Sequence, residues 1–206
     1  EEERKVQSSR RVSEYRVALV GYTNAGKSTL FNALTGTDVY VRDQLFATLD
    51  TTVRKLNLDD SHDILISDTV GFIRKLPHNL VASFKTTLKE VIDSDLILII
   101  LDISSQQVSE HLKTINKVLL EIGAEKIPNI KVLNKVDLIS QPNLIDKIEY
   151  KFSEAISISA RRHLMLARLK NEIIKHMEKN YQTVELKFTY AHGRTLANAQ
   201  RGVEVL

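Results

Sequence analysis

Nine residues, Gly21-Tyr22-Thr23-Asn24-Ala25-Gly26-Lys27-Ser28-Thr29, constrain this chain more than any others. Glycine, lysine and a hydroxyl residue at this spacing make the phosphate loop G-x-x-x-x-G-K-S/T. The run Arg16-Val17-Ala18-Leu19-Val20 before it is strand-like, and Thr29-Leu30-Phe31-Asn32-Ala33-Leu34 after it suits a helix. Strand, tight turn and helix N-terminus in that order aim successive backbone N–H groups at one spot, where they hold an anion. Gly21, Asn24, Ala25, Gly26 and Thr29 would line this cradle. Lys27 would reach the β- and γ-phosphates, and the Ser28 hydroxyl would join a magnesium ion shared with them. The same residues in an ordinary glycine-rich turn are the alternative, and the flanking strand and helix patterns weigh against it.

The rest of the chain supplies the frame such a loop needs. Apolar segments of strand length alternate with segments of helical period. A helix should end near Gly36, and Thr37 to Thr52 then form a long loop that covers the phosphates. Val53–Leu58 and Ile64–Ile66 read as antiparallel hairpin strands around the turn Asp59-Asp60-Ser61-His62. Leu80, Phe84, Leu88, Val91 and Ile92 share a helical face. Leu96–Leu101 is apolar throughout and reads as a central parallel strand. Leu112, Ile115, Val118, Leu119 and Ile122 mark a helix stopped by Gly123. Strand Ile130–Leu133, helix Pro142 to about Lys151, strand Ala155–Ile158 and helix Met165–Met177 complete the series. The fold class is therefore α/β: a doubly wound, mostly parallel sheet with helices on both faces. Residues 16–180 form that domain. Residues 1–15 read as the end of a helical linker and 181–206 as a short C-terminal extension.

Composition narrows the setting. Apolar residues make up 43% and charged residues 27% of 206, which suits a globular protein with one full core. There is no cysteine, so disulfides and thiolate metal sites are excluded. The longest apolar run is too short to span a membrane, and Glu1-Glu2-Glu3-Arg4-Lys5 does not read as a signal peptide. The lack of cysteine allows an intracellular protein without requiring one; a cytoplasmic monomer is the expectation, although composition does not set the oligomeric state. A net charge of +3 is compatible with an RNA surface without implying one.

Three further motifs fall at strand ends. Asp68-Thr69-Val70-Gly71 can hold magnesium through water at Asp68, and the Gly71 N–H can reach the γ-phosphate. Asn134-Lys135-Val136-Asp137 can select the base. The Asp137 carboxylate accepts from guanine N1 and N2, whereas adenine offers no matching donors and would leave a carboxylate unpaired. The Lys135 stem would cover the base face, and Asn134 would tie this loop to the phosphate loop. Ser159-Ala160 ends the series, with the Ala160 N–H available to guanine O6. Each motif is weak alone; four in this order are strong.

This set resembles the translation-factor-related GTPases and, more narrowly, the HflX family of ribosome-associated GTPases. The likeness rests on Gly21 to Asn32, on Leu45-Phe46-Ala47-Thr48-Leu49-Asp50, on Asp68-Thr69-Val70-Gly71-Phe72-Ile73, and above all on the stretch from Leu76-Pro77-His78 to Lys89-Glu90. Tyr190, Gly193 and Gly202-Val203 are looser matches. The resemblance implies a GTPase that binds the large ribosomal subunit and splits or rescues stalled ribosomes, with magnesium as cofactor. The family's N-terminal domain, a contributor to ribosome binding, has no counterpart in residues 1–15. The resemblance also makes Thr48 the threonine that joins magnesium when GTP is bound, with Thr51 and Thr52 as rivals. Asn24 stands where potassium-activated GTPases place an asparagine, and a potassium ion there would supply positive charge; bracing the turn is its alternative role. Lys27, Asn24, Thr48 and Gly71 are thus the expected catalytic set.

Phe72 stands where many GTPases carry a water-orienting glutamine, so intrinsic turnover should be slow. Arg74 and His78 read as switch-surface residues. Arg161-Arg162-His163 departs from the small residues usual in the family after Ser-Ala; it reads as a solvated turn, with a changed guanine affinity or a contact to RNA as the alternatives. Two other functions stay open: a GTP-dependent regulator of the Obg or tRNA-modification type, and a GTP-binding module with negligible turnover.

Overall fold

The computed structural model describes residues 15–36, 52–69, 88–140, 142–152 and 155–179. Expected site residues Thr48 and Gly71, together with Thr51, Phe72, Arg74 and His78, lie outside them, as do residues 1–14 and 180–206. The described elements run β1 (Tyr15–Gly21), α1 (Lys27–Thr35), β2 (Thr52–Asn57), β3 (Asp63–Asp68), β4 (Leu96–Asp102), α2 (Val108–Glu121), β5 (Asn129–Asn134), α3 (Pro142–Lys151), β6 (Ile156–Ser157) and α4 (Leu166–Glu178). Residues 88–92 are also helical.

The strands form one sheet in the order β2-β3-β1-β4-β5-β6. β2 is antiparallel to β3, and the remaining pairs are parallel. Successive side chains of β1 enter opposite cores, because strand side chains alternate between faces. Val17 and Leu19 pack with Leu30, Phe31 and Leu34 of α1 and with Leu169, Ile173 and Met177 of α4. Ala18 and Val20 pack with Ile115, Val118 and Leu119 of α2 and with Leu88, Val91 and Phe152. Both faces of the sheet are thus covered, which is why β4 carries an unbroken apolar run, Leu96 to Leu101, buried throughout. Burying a side chain the size of Phe31 contributes about 1.5–3 kcal/mol, so these two cores hold the sheet edge rigid.

Two details differ from the pattern read in the sequence. Ile92 is 45% exposed, whereas Leu88 and Val91 are buried: Ile92 is the last helical residue, at the rim of the covered face. The last strand narrows to Ile156–Ser157, the two residues that pair with Val132 and Leu133.

Candidate nucleotide site

Because β1, β3, β4, β5 and β6 are parallel, their carboxyl ends lie along one edge of the sheet. The loops that leave this edge carry Asn24 to Ser28, Thr69, Ser104, Lys135 to Asp137 and Ala160, and a ligand in such a sheet sits at that edge.

Gly21 ends β1 so close to β4 that a Cβ there would stand 2.6 Å from the Ile100 carbonyl oxygen. Only glycine lets the two backbones approach like this. The chain then turns through Asn24, at φ 61 and exposed, and Gly26, at φ 92, before α1 begins at Lys27. The Ala25 N–H donates to the Tyr22 carbonyl at 3.2 Å, and the Lys27 ammonium donates to the same oxygen at 3.2 Å. Lys27 is buried, and that burial pushes its pKa down to about 8 against the opposing pull of Asp68. Ser28 and Thr29, in the first turn of α1, are half-buried. Asp68 ends β3 and is fully buried beside this charge. Thr69, next along the chain, donates its hydroxyl to the Leu19 carbonyl at 2.6 Å and so ties the end of β3 to β1.

Asn134 joins three loops. Its Nδ2 donates to the Ala25 carbonyl at 2.9 Å, and its Oδ1 accepts from the Ala160 N–H at 3.0 Å. The side chain is buried, so both bonds are shielded from water. The Ala160 N–H, expected at guanine O6, is directed in this structure at Asn134. Lys135 takes a left-handed conformation (φ 70), and its ammonium pairs with Asp102 at 2.7 Å. The other Asp102 oxygen accepts from the Ser104 N–H at 2.9 Å and its hydroxyl at 2.6 Å. Asp137 lies in the short turn Val136–Leu138, exposed, with no hydrogen bond from another described residue. Ser159 is buried, and its hydroxyl accepts from the Arg162 N–H at 3.1 Å.

Three contacts were not anticipated from the sequence. Asp102 anchors Lys135, and the only sequence signal was an acid at a strand end. Tyr22 stacks on His111 of α2, with ring centroids 4.1 Å apart and planes 12° from parallel. Thr69 reaches back to β1. The last two join residues far apart in sequence, and no local pattern marks them.

Chemically, this edge combines a buried cation, an anion-binding turn and an exposed carboxylate. Ser28 and Asp68 are oxygen donors of the hard type that magnesium takes. The described residues contain no group of three or more potential metal-binding side chains, so an ion here would depend on ligand oxygens and water as well.

A family profile described as 50S ribosome-binding GTPase matches residues 16–135, which run from β1 through Lys135. The GTPase HflX of Caldanaerobacter subterraneus subsp. tengcongensis is 47% identical over 86% of this chain and 40% of its own length. That of Escherichia coli K12 is 44% identical over 78% of this chain and 40% of its own. The chain belongs to the HflX GTPases, within the 50S ribosome-binding GTPases. It spans about 40% of the length of these HflX relatives and forms a GTPase-domain portion of one. HflX proteins are GTP-hydrolysing enzymes. Solved structures agree on the α/β P-loop GTPase fold. A GTP-binding protein from Sulfolobus solfataricus in complex with GDP gives a TM-score of 0.64 at 28% identity, over 86% of this chain and 56% of that one. An Aquifex aeolicus Era variant bound to GDP and AlF4⁻ gives 0.62 at 26%, over 86% and 60%. No described helix of this HflX portion is long and apolar enough to cross a membrane.

Proposed function

We propose that this chain binds and hydrolyses GTP at the edge held by Asn134, and that it acts in the cytoplasm as a switch on the large ribosomal subunit, splitting or rescuing stalled ribosomes. The carrying observation is the buried Asn134 amide, which links the phosphate loop to the base-side loops by two hydrogen bonds. Phosphates and base then bind to one rigid unit.

In this reading Gly21 to Thr29 cradle the phosphates and Lys27 neutralises their charge. Ser28, Asp68 and, in the GTP state, Thr48 would hold magnesium, which would offset phosphate charge. Asp137 accepts from the guanine edge, the pinned Lys135 stem covers the base, and the Ser159–Ala160 peptide closes the far side. Catalysis is electrostatic: Lys27 and the loop N–H groups stabilise charge as it develops on the γ-phosphoryl oxygens. Gly71 would sense the γ-phosphate, and Asn24 would hold a potassium ion. The large-subunit assignment is supported by the matched family's description; an Era neighbour solved with 16S ribosomal RNA, from the other subunit, supports only a ribosomal partner in general.

The test is GTP turnover with excess magnesium, in potassium and in sodium, with and without purified large subunits. Stimulation by subunits supports the switch, and a potassium effect lost in Asn24→Ala assigns the ion. Tight GTP binding without turnover in any condition would leave a binding module and overturn the enzymatic role of this portion.

A further inference from the structure

The turn between β6 and α4 carries chemistry that the nucleotide site does not use. It is tightly built. Ser159 and Leu164 exchange backbone hydrogen bonds at 3.2 and 3.0 Å, and the Ser159 hydroxyl caps the Arg162 N–H. His163 (φ 55) and Met165 (φ 61) sit in the left-handed region, which side chains of their size rarely adopt. The turn is therefore held in one conformation by its own bonds, and that conformation pushes Arg161, Arg162, His163, Leu164 and Met165 outward, all exposed.

No acidic residue occurs from Ala155 to Asn171, a span with Arg161, Arg162, Arg168 and Lys170. No described carboxylate pairs with Arg161 or Arg162, whereas Lys55, Lys113, Lys117 and Lys175 elsewhere on the surface each have such a partner. Leu164 and Met165 are each about half exposed beside them.

We infer that the Arg161–Met165 turn is a docking surface for the phosphate backbone of RNA. Two adjacent guanidinium forks match phosphate oxygens and gain from release of the counterions that RNA condenses. Leu164 and Met165 offer one small apolar face, enough for a ribose or base but short of the core of a protein interface. A peptide strand cannot add here, because the Ser159 and Leu164 backbone groups are already paired with each other. This goes beyond the function proposed above: it assigns a surface, and it holds for RNA whether or not the ribosome is the physiological partner.

The test is filter binding of the GDP-loaded chain to protein-free ribosomal RNA purified from large subunits, across a salt series. Four proteins are compared: wild type, Arg161→Ala with Arg162→Ala, Arg161→Lys with Arg162→Lys, and a control, Lys117→Ala with Lys126→Ala. The alanine pair should lower the slope of log affinity against log salt by about 1.4–1.8, since each lost phosphate contact removes roughly 0.7–0.9. Its affinity at low salt should fall at least tenfold, with basal GTP turnover unchanged. The lysine pair should keep the slope, and the control should match wild type. The surface is overturned if the alanine pair keeps both slope and affinity, if the control weakens equally, or if wild type ignores the RNA and binds polyglutamate instead. Pelleting with intact large subunits separates the two readings. Binding to naked RNA but not to subunits removes the ribosome role and leaves this surface standing.

Discussion

Asn134 lies so close over Gly26 that a Cβ at Gly26 would come within 2.3 Å of its Nδ2. The same glycine holds φ 92, where any side chain is strained. Gly26→Ala should push the Asn134 amide aside and loosen both loops it joins. Strain and lost bonds of about 1–3 kcal/mol predict GDP affinity about tenfold to a hundredfold weaker. Calorimetric titration checks this, and an unchanged affinity would show that the contact is not needed.

The two partners of Asn134 want opposite things: Ala25 offers an acceptor and Ala160 a donor. Asn134→Ala leaves both buried groups without this partner, which should cost about 1–3 kcal/mol of stability. Asn134→Asp keeps the acceptor but sets a carboxylate against the Ala25 carbonyl with no proton to give. It should be the less stable of the two variants at neutral pH, and urea midpoints would rank them.

Lys27 predicts a pH dependence. Its pKa falls to about 8 in the folded chain, against an ordinary lysine value of 10.5. Between those values the unfolded chain binds the proton more strongly, so this group's contribution to stability rises with pH across that window. Binding of phosphates runs the other way, because it favours charged lysine. GDP affinity should therefore decline above about pH 8, with proton uptake on binding. Titration in buffers of different ionisation enthalpy measures the uptake. Lys27→Arg, which stays charged, should lack this decline.

The Tyr22–His111 stack supports the residue whose carbonyl receives Lys27. An aromatic pair adds about 0.5–1.5 kcal/mol beyond its buried area. His111→Ala should weaken nucleotide binding about two- to tenfold, whereas His111→Phe should largely restore it. Equal weakening in both would mean that the ring stack is not what matters.

The frame was largely legible in the sequence, for physical reasons. Leu96–Leu101 had to be buried on both faces, and Leu169, Ile173 and Met177 had to share one side of a helix. The strand-loop-helix setting of Lys27 followed from spacing. What stayed hidden was long-range. Nothing local in Asp102 announces that it will hold Lys135, and nothing near Tyr22 announces His111. The direction of the Ala160 N–H was equally out of reach, because a backbone donor goes to whichever acceptor the fold brings near it. Ile92 missed its expected face because a helical period says nothing about where the helix stops.

Gly21 presses the root of the phosphate loop against the Ile100 carbonyl of the central strand. The glycine-rich turn and the hydrophobic interior therefore share one mechanical joint. Nucleotide occupancy becomes a gauge of the whole barrier to unfolding, and bound GDP should shield β1 and β4 together from amide exchange. Heat-sensitive alleles on β4 would then first show themselves as lost nucleotide, and a genetic screen would mistake them for active-site lesions.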